Sequence, residues 1–267
     1  MDKKQGADNF DYLVTNRDAR RASNHRKLII ILLIIILLVL LLGGAAYAIV
    51  SLIQYNSFRA VIEKQGANIF SLSYGPSFNE ASSALSFGGP RYLDNVTFID
   101  VQKDIEQIAN IEGSYSKNTE QYIALTFYFK NVSKSTYRYK EVLRFDDVTR
   151  DIDDTVRVAL IRNDEITIYA KPRADGTPEE VVPGQNFTRN GLTPRSDIDS
   201  EIDSIWYTEP FFSDVYAFYN TGLIIEPGEV VKYTFLFWIE GYDAETKDNV
   251  LGGSVRMEMQ FSQWLDE

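Results

Sequence analysis

The chain has 267 residues, 27 basic against 38 acidic, and a net charge of −11 at neutral pH. It has no cysteine and a single histidine, His25. Disulfides, thiolate metal sites and cysteine nucleophiles are excluded throughout, and histidine-dependent triads and His-ligated zinc are excluded from everything after residue 25.

The first 27 residues carry seven basic side chains (Lys3, Lys4, Arg17, Arg20, Arg21, Arg26, Lys27) and four acids (Asp2, Asp8, Asp11, Asp18). From Leu28 to Leu42 every residue is Leu, Ile or Val, and no charge falls between Lys27 and Arg59. A helix over 28–53 would be about 39 Å long, enough for a ~30 Å hydrocarbon core. A helix is the form lipid demands, because every backbone N–H and C=O must be satisfied within the segment. The basic cluster on its N-terminal side predicts an N-terminus in the cytoplasm and residues after 54 outside. Ala46-Tyr47-Ala48 has the small-x-small form of a cleavage site, so a cleaved signal peptide is the alternative; the length of the apolar run favours an uncleaved signal anchor. The predicted organisation is a cytoplasmic basic tail (1–27), a transmembrane anchor (28–53), a stalk (54–68) and an extracellular domain (69–267), with the protein single-pass in the cell membrane. Seven basic and four acidic residues in the tail leave 20 against 34 in the rest, a net charge of −14. Such a surface repels nucleic acid and anionic headgroups.

Gln54–Asn68 is polar and is predicted to continue as a short helical stalk. Ile69–Tyr74 reads as a first strand, followed by loop chemistry over 76–90 and a second strand at Arg91–Ile99. Asp100 is placed to cap a short helix with Val101, Ile105 and Ile108 on one face. Glu120–Lys130 and Thr136–Phe145 both alternate and predict an antiparallel hairpin. Thr155–Arg162 and Glu165–Lys171 predict two more strands around Asn163-Asp164. From Pro172 to Asp203 the prolines and glycines predict a surface excursion. Strands resume at 205–207 and Asp214–Tyr219, then at Val230–Glu240 and from Val255 to Phe261. The strand count and the lack of a second long helix predict a mainly β fold, an antiparallel β-sandwich.

Pro227-Gly228-Glu229, Phe235–Gly241 (FLFWIEG), Asp243-Ala244-Glu245 and Leu251-Gly252-Gly253 together form an ending that resembles exported proteins of Gram-positive-type bacteria related to the TasA/camelysin biofilm-matrix family. The likeness covers roughly the last 40 residues and the plan of an export segment before a β-rich domain. It implies a jelly-roll sandwich and a role in matrix or filament formation at the cell surface. Camelysin-type members are described as metalloproteases, but this chain has no His-Glu-x-x-His helix.

Three acidic clusters stand out as possible calcium loops: Asp146, Asp147, Asp151, Asp153 and Asp154; Asp197, Asp199, Glu201 and Asp203; and Asp243, Glu245 and Asp248. None has EF-hand spacing, and a solvated acidic loop is the plainer reading. The tentative calcium ligands are Asp197, Asp199, Asp203, Asp243, Glu245 and Asp248; no other cofactor is implied. Tyr137, Tyr139, Tyr207 and Tyr216 are expected at the surface as a sugar-stacking or docking face. With no catalytic constellation, the chain is expected not to be an enzyme. It is read as a membrane-anchored surface protein of structural or interaction type, a subunit joined to others by strand addition with Ile69–Tyr74 as donor. The alternative is a monomeric carbohydrate- or calcium-dependent binding module.

Overall fold

The computed structural model describes residues 29–44, 57–88, 93–102, 104, 113–116, 120–163, 165–181, 193–194 and 207–265, with backbone only for Ser57, 113–116 and 193–194. Residues 1–53 and 54–267 form two separate units. In the first, 29–44 is a helix, α1. Its large aliphatic side chains, Ile29 to Leu42, are each 47–67% exposed. Among the described residues no helix is long and apolar enough to cross a membrane. Leu28 and residues 45–53 of the predicted span lie outside the described residues.

Among the described residues the second unit holds fourteen strands in two sheets. Sheet I contains β1 (Ser57–Ile62), β3 (Ala84–Gly88), β7 (Tyr137–Val148), β12 (Tyr216–Ile225) and β14 (Val255–Gln263), in the order β12-β7-β14-β1-β3. Sheet II contains β2 (Phe70–Ser73), β4 (Asn95–Val96), β5 (Gly113–Ser116), β6 (Ile123–Asn131), β8 (Val156–Arg162), β9 (Glu165–Ala170), β10 (Thr193–Pro194), β11 (Glu209–Pro210) and β13 (Val230–Glu240). Its main path is β10-β9-β8-β13-β6-β2, with β11 on β9, β4 on β13 and β5 on β6. A short helix, α2 (Phe98–Gln102), follows β4.

The sheets pack face to face through aromatic side chains. Phe58 of sheet I meets Phe235 of sheet II at 5.1 Å between ring centroids, and Phe261 stacks on Phe129 at 4.5 Å. Such ring pairs add ~0.5–1.5 kcal/mol each beyond the area they bury. Sheet II is buried on its other face as well, where Val96, Phe98, Val101, Ile161, Ile168, Val181, Leu236 and Trp238 form a second core and Phe98 stacks on Trp238 at 5.4 Å. A strand buried on both faces has no reason to alternate, which is why β13 reads VVKYTFLFWIE. The other face of sheet I is charged instead, with Arg59–Glu258, Arg144–Asp146 and Lys140–Glu63 as ion pairs.

The expected β13, β14 and the β8–β9 hairpin are present, the last turning through Asn163 in the left-handed region (φ 55°). Other expectations are corrected. The stalk contains β1, whose Phe58, Ala60 and Ile62 are buried and which pairs parallel with β14 and antiparallel with β3. The sandwich is therefore not purely antiparallel, because the first strand lies beside the last and runs with it. The predicted loop at 76–90 holds β3, and the predicted strand at 91–99 is only the two-residue β4, with α2 starting at Phe98. The predicted excursion from Pro172 contains the fully buried Val181.

The predicted hairpin of β6 and β7 does not form, since β6 pairs in sheet II and β7 in sheet I. Asn131 makes the crossing. Its buried amide donates to the carbonyls of Ser135 (2.8 Å) and Ile225 (3.2 Å) and accepts from the Ser133 backbone N–H and hydroxyl. The two strands then face each other across the core, with Phe129 and Tyr139 rings 5.0 Å apart.

Several exposed edges are blunted. On β3, the Tyr74 hydroxyl accepts from the Ser86 N–H (3.1 Å) and donates to the Ser86 carbonyl (3.0 Å). β12 breaks register between Tyr216 and Phe218 and again between Asn220 and Leu223. β2, the expected donor strand, is seated on β6 and bridged on its other side by Ser82, which exchanges two 2.8 Å backbone bonds with Leu72. Bulges and side-chain caps of this kind keep a second chain from adding to a sheet.

Because β1 lies inside sheet I, a chain truncated to begin at Ile69 loses cooperative unfolding, whereas one beginning at Gln54 keeps it; circular dichroism melts of the two distinguish a strand from a stalk.

Candidate functional site

Where β9 and β12 part at the side of the sandwich, the two sheets leave a groove of about 220 Å³. It is lined by Thr167 and Tyr169 of β9, Glu209 and Pro210 of β11, Phe212, and Ala217 to Asn220 of β12. Tyr169 and Phe218, in ring contact at 4.9 Å, join the two sheets there. The turn at Ser213–Tyr216, closed by reciprocal backbone bonds of 3.1 and 3.2 Å, carries Phe212 outward. Phe212 is 65% exposed and stacks on Tyr219 at 5.4 Å, while Lys140 lies 5.6 Å from the same tyrosine ring. An aromatic side chain so exposed loses about 1.5–3 kcal/mol of available burial, which makes it the conspicuous apolar surface of the groove.

Behind the groove the core is polar. Asn220 donates to Glu141 Oε1 at 2.9 Å, with the Arg162 guanidinium 3.5 Å from the same oxygen. The Tyr233 hydroxyl donates to Glu141 Oε2 and accepts from Tyr139 at 3.0 Å. Glu141 is fully buried. Burial, and after it the negative charge of Glu141, push the hydroxyls of Tyr139 and Tyr233 well above the ordinary tyrosine range. Donors engage both oxygens of Glu141, and the carboxylate in turn holds Asn220 in the groove wall.

A second charged cluster lies on the covered face of sheet II. Arg157 is fully buried and meets Asp243 at 2.7 Å and Glu179 at 3.9 Å, and its Nε and Nη1 have no hydrogen-bond partner among the described residues. Glu240 accepts from the Trp238 indole (2.9 Å), the Phe98 N–H (3.2 Å) and the Tyr242 N–H (3.3 Å). Burial raises the Glu240 pKa, and those bonds and Arg157 oppose the rise.

Of the tentative calcium ligands, Asp243 faces Arg157 and accepts the Glu245 N–H at 2.8 Å, while Glu245 and Asp248 stay exposed on their loop. Asp197, Asp199 and Asp203 lie outside the described residues. Among the described residues no three acids converge on a cation position. In the first acidic cluster, Asp153 and Asp154 pair with Lys171, Asp146 with Arg144 and Asp147 with Arg256. Of the four expected surface tyrosines, Tyr216 stands 6.0 Å from Tyr219 beside the groove, and Tyr139 is a correction, being only 2% exposed. Tyr137 and Tyr207 are half-buried elsewhere. Glu141 carried a signal of its own, a charge at an inward position of an alternating strand. Phe212 and Asn220 carried none.

Compared with known proteins, the chain matches no family model, no curated protein and no solved structure.

Unfolding exposes Tyr139 and Tyr233 to ordinary tyrosine titration near 10.0, below their folded values. The unfolded chain then binds fewer protons than the native one, so their stability contribution is complete below that pH and declines as pH rises through it. Urea midpoints are expected to fall above about pH 10, less steeply in Tyr233→Phe, which at neutral pH costs about 1.5–3 kcal/mol by removing a donor from a buried carboxylate.

Proposed function

We propose that this chain is a membrane-anchored surface protein, N-terminus inside, whose extracellular sandwich works as an interaction module rather than an enzyme. The observation that carries this reading is the run from Leu28 to Leu42, made only of Leu, Ile and Val, with seven basic residues before it. Its aliphatic side chains from Ile29 to Leu42 are 47–67% exposed, and lipid is the cover that such a surface requires. The jelly-roll and matrix roles implied by the TasA/camelysin resemblance remain compatible with display at a surface. Joining of subunits by strand addition would use an edge other than β3, β12 and β2, which are each capped or bulged. The groove at β9 and β12 favours a module that binds one partner molecule at its side.

The test is topology in intact cells carrying a C-terminal epitope. External protease should remove the epitope while leaving the first 27 residues protected, and deletion of 28–53 should move the protein from the membrane fraction to the soluble one. An epitope protected in intact cells, or membrane association that survives the deletion, would sink the proposal.

A further inference from the structure

We infer that the groove between β9 and β12 is a saccharide site that takes a single neutral pyranose ring; this rests on the surface-module reading above and names its ligand class.

A pyranose has an apolar face of C–H bonds and an equatorial rim of hydroxyls. The groove offers both counterparts. Phe212, 65% exposed and supported from behind by Tyr219, supplies a flat aromatic surface. Thr167 and Asn220 line the groove with polar side chains, and with its Nδ2 donated to Glu141 the Asn220 amide oxygen is turned to accept from a ligand hydroxyl. Asn220 is held by its bond to the buried Glu141, so its orientation is set before any ligand arrives.

Charge and size narrow the class further. Among the described residues that line the groove none is basic, and the nearby Lys140 is taken up against the Tyr219 ring, so the charge of a phosphorylated or uronic sugar finds no counter-charge in the lining. At about 220 Å³ the space lies under the ~300–1,000 Å³ of drug-sized pockets, and fits one ring with its glycosidic neighbour directed outward. An extended peptide is disfavoured, since β12 breaks register on both sides of the groove residues Phe218 to Asn220.

The experiment uses the full chain in lipid nanodiscs, which avoid glycoside detergents, with saturation-transfer NMR and titration of cellobiose, maltose, lactose and di-N-acetylchitobiose. Glucuronic acid and glucose 6-phosphate serve as charged comparisons. At least one neutral disaccharide is expected to bind in the millimolar range, with saturation transferred from aromatic protons, and Phe212→Ala to weaken it about tenfold or more. Ile224→Ala, an equally exposed apolar change outside the groove, should leave binding intact. The inference is overturned if no neutral probe binds up to about 10 mM, if Phe212→Ala binds as the parent does, or if the charged sugars bind as well as the neutral ones. Absence of sugar binding by a protein that protease treatment finds on the outside of cells removes the ligand class and leaves the surface module standing. A protected sandwich removes the module itself.

Discussion

Sheet II is pressed between two apolar layers, and most of what the second unit can and cannot do follows from that burial. On one side Phe127, Phe129, Phe235 and Phe237 meet sheet I; on the other Leu236 and Trp238 lie under α2 and Val181. Complete burial removes water as a partner for any polar group on the strands. Each charge there must be answered by another group of the chain. Glu240 is answered by an indole and two backbone N–H groups. Arg157 is answered, among the described residues, through one nitrogen only.

The same reasoning explains the position of the groove. The aromatic layer between the sheets ends where Tyr139, Tyr233 and Glu141 replace phenylalanines. Polar side chains need donors and acceptors at fixed distances, so this end of the core has one arrangement where an apolar one would tolerate several. Asn220 inherits that rigidity through Glu141, and the groove wall is held by interior bonds as much as by its own strand. Stability and the shape of the groove share one network here. Weakening the interior alters the surface.

Much of the strand content was legible from period alone. Val230–Glu240 has the same bounds in sequence and structure, and Asn163 marks the β8–β9 turn by accepting a left-handed backbone. Period does not say which strands pair. β6 and β7 alternate as hairpin partners would, yet the buried Asn131 directs them into opposite sheets. β1 was hidden because SFRAVI is short, sits among polar residues and presents Ala60 where a larger apolar residue would have announced a strand. The groove was illegible for another reason. Thr167, Glu209, Phe212 and Asn220 come from three elements and a turn, and only the parting of two sheets brings them together.

The parallel pairing of β1 with β14 also sets how the domain bears load. A pull on the chain from the N-terminal side of Ser57 runs along β1. That strand holds five registered partners on β14 and five on β3, all lying across the direction of pull. Bonds loaded in this way strain together and must give way together, whereas a strand peeled from its end loses them one at a time. A sandwich pulled through β1 therefore resists in shear, with its resistance concentrated in that one strand.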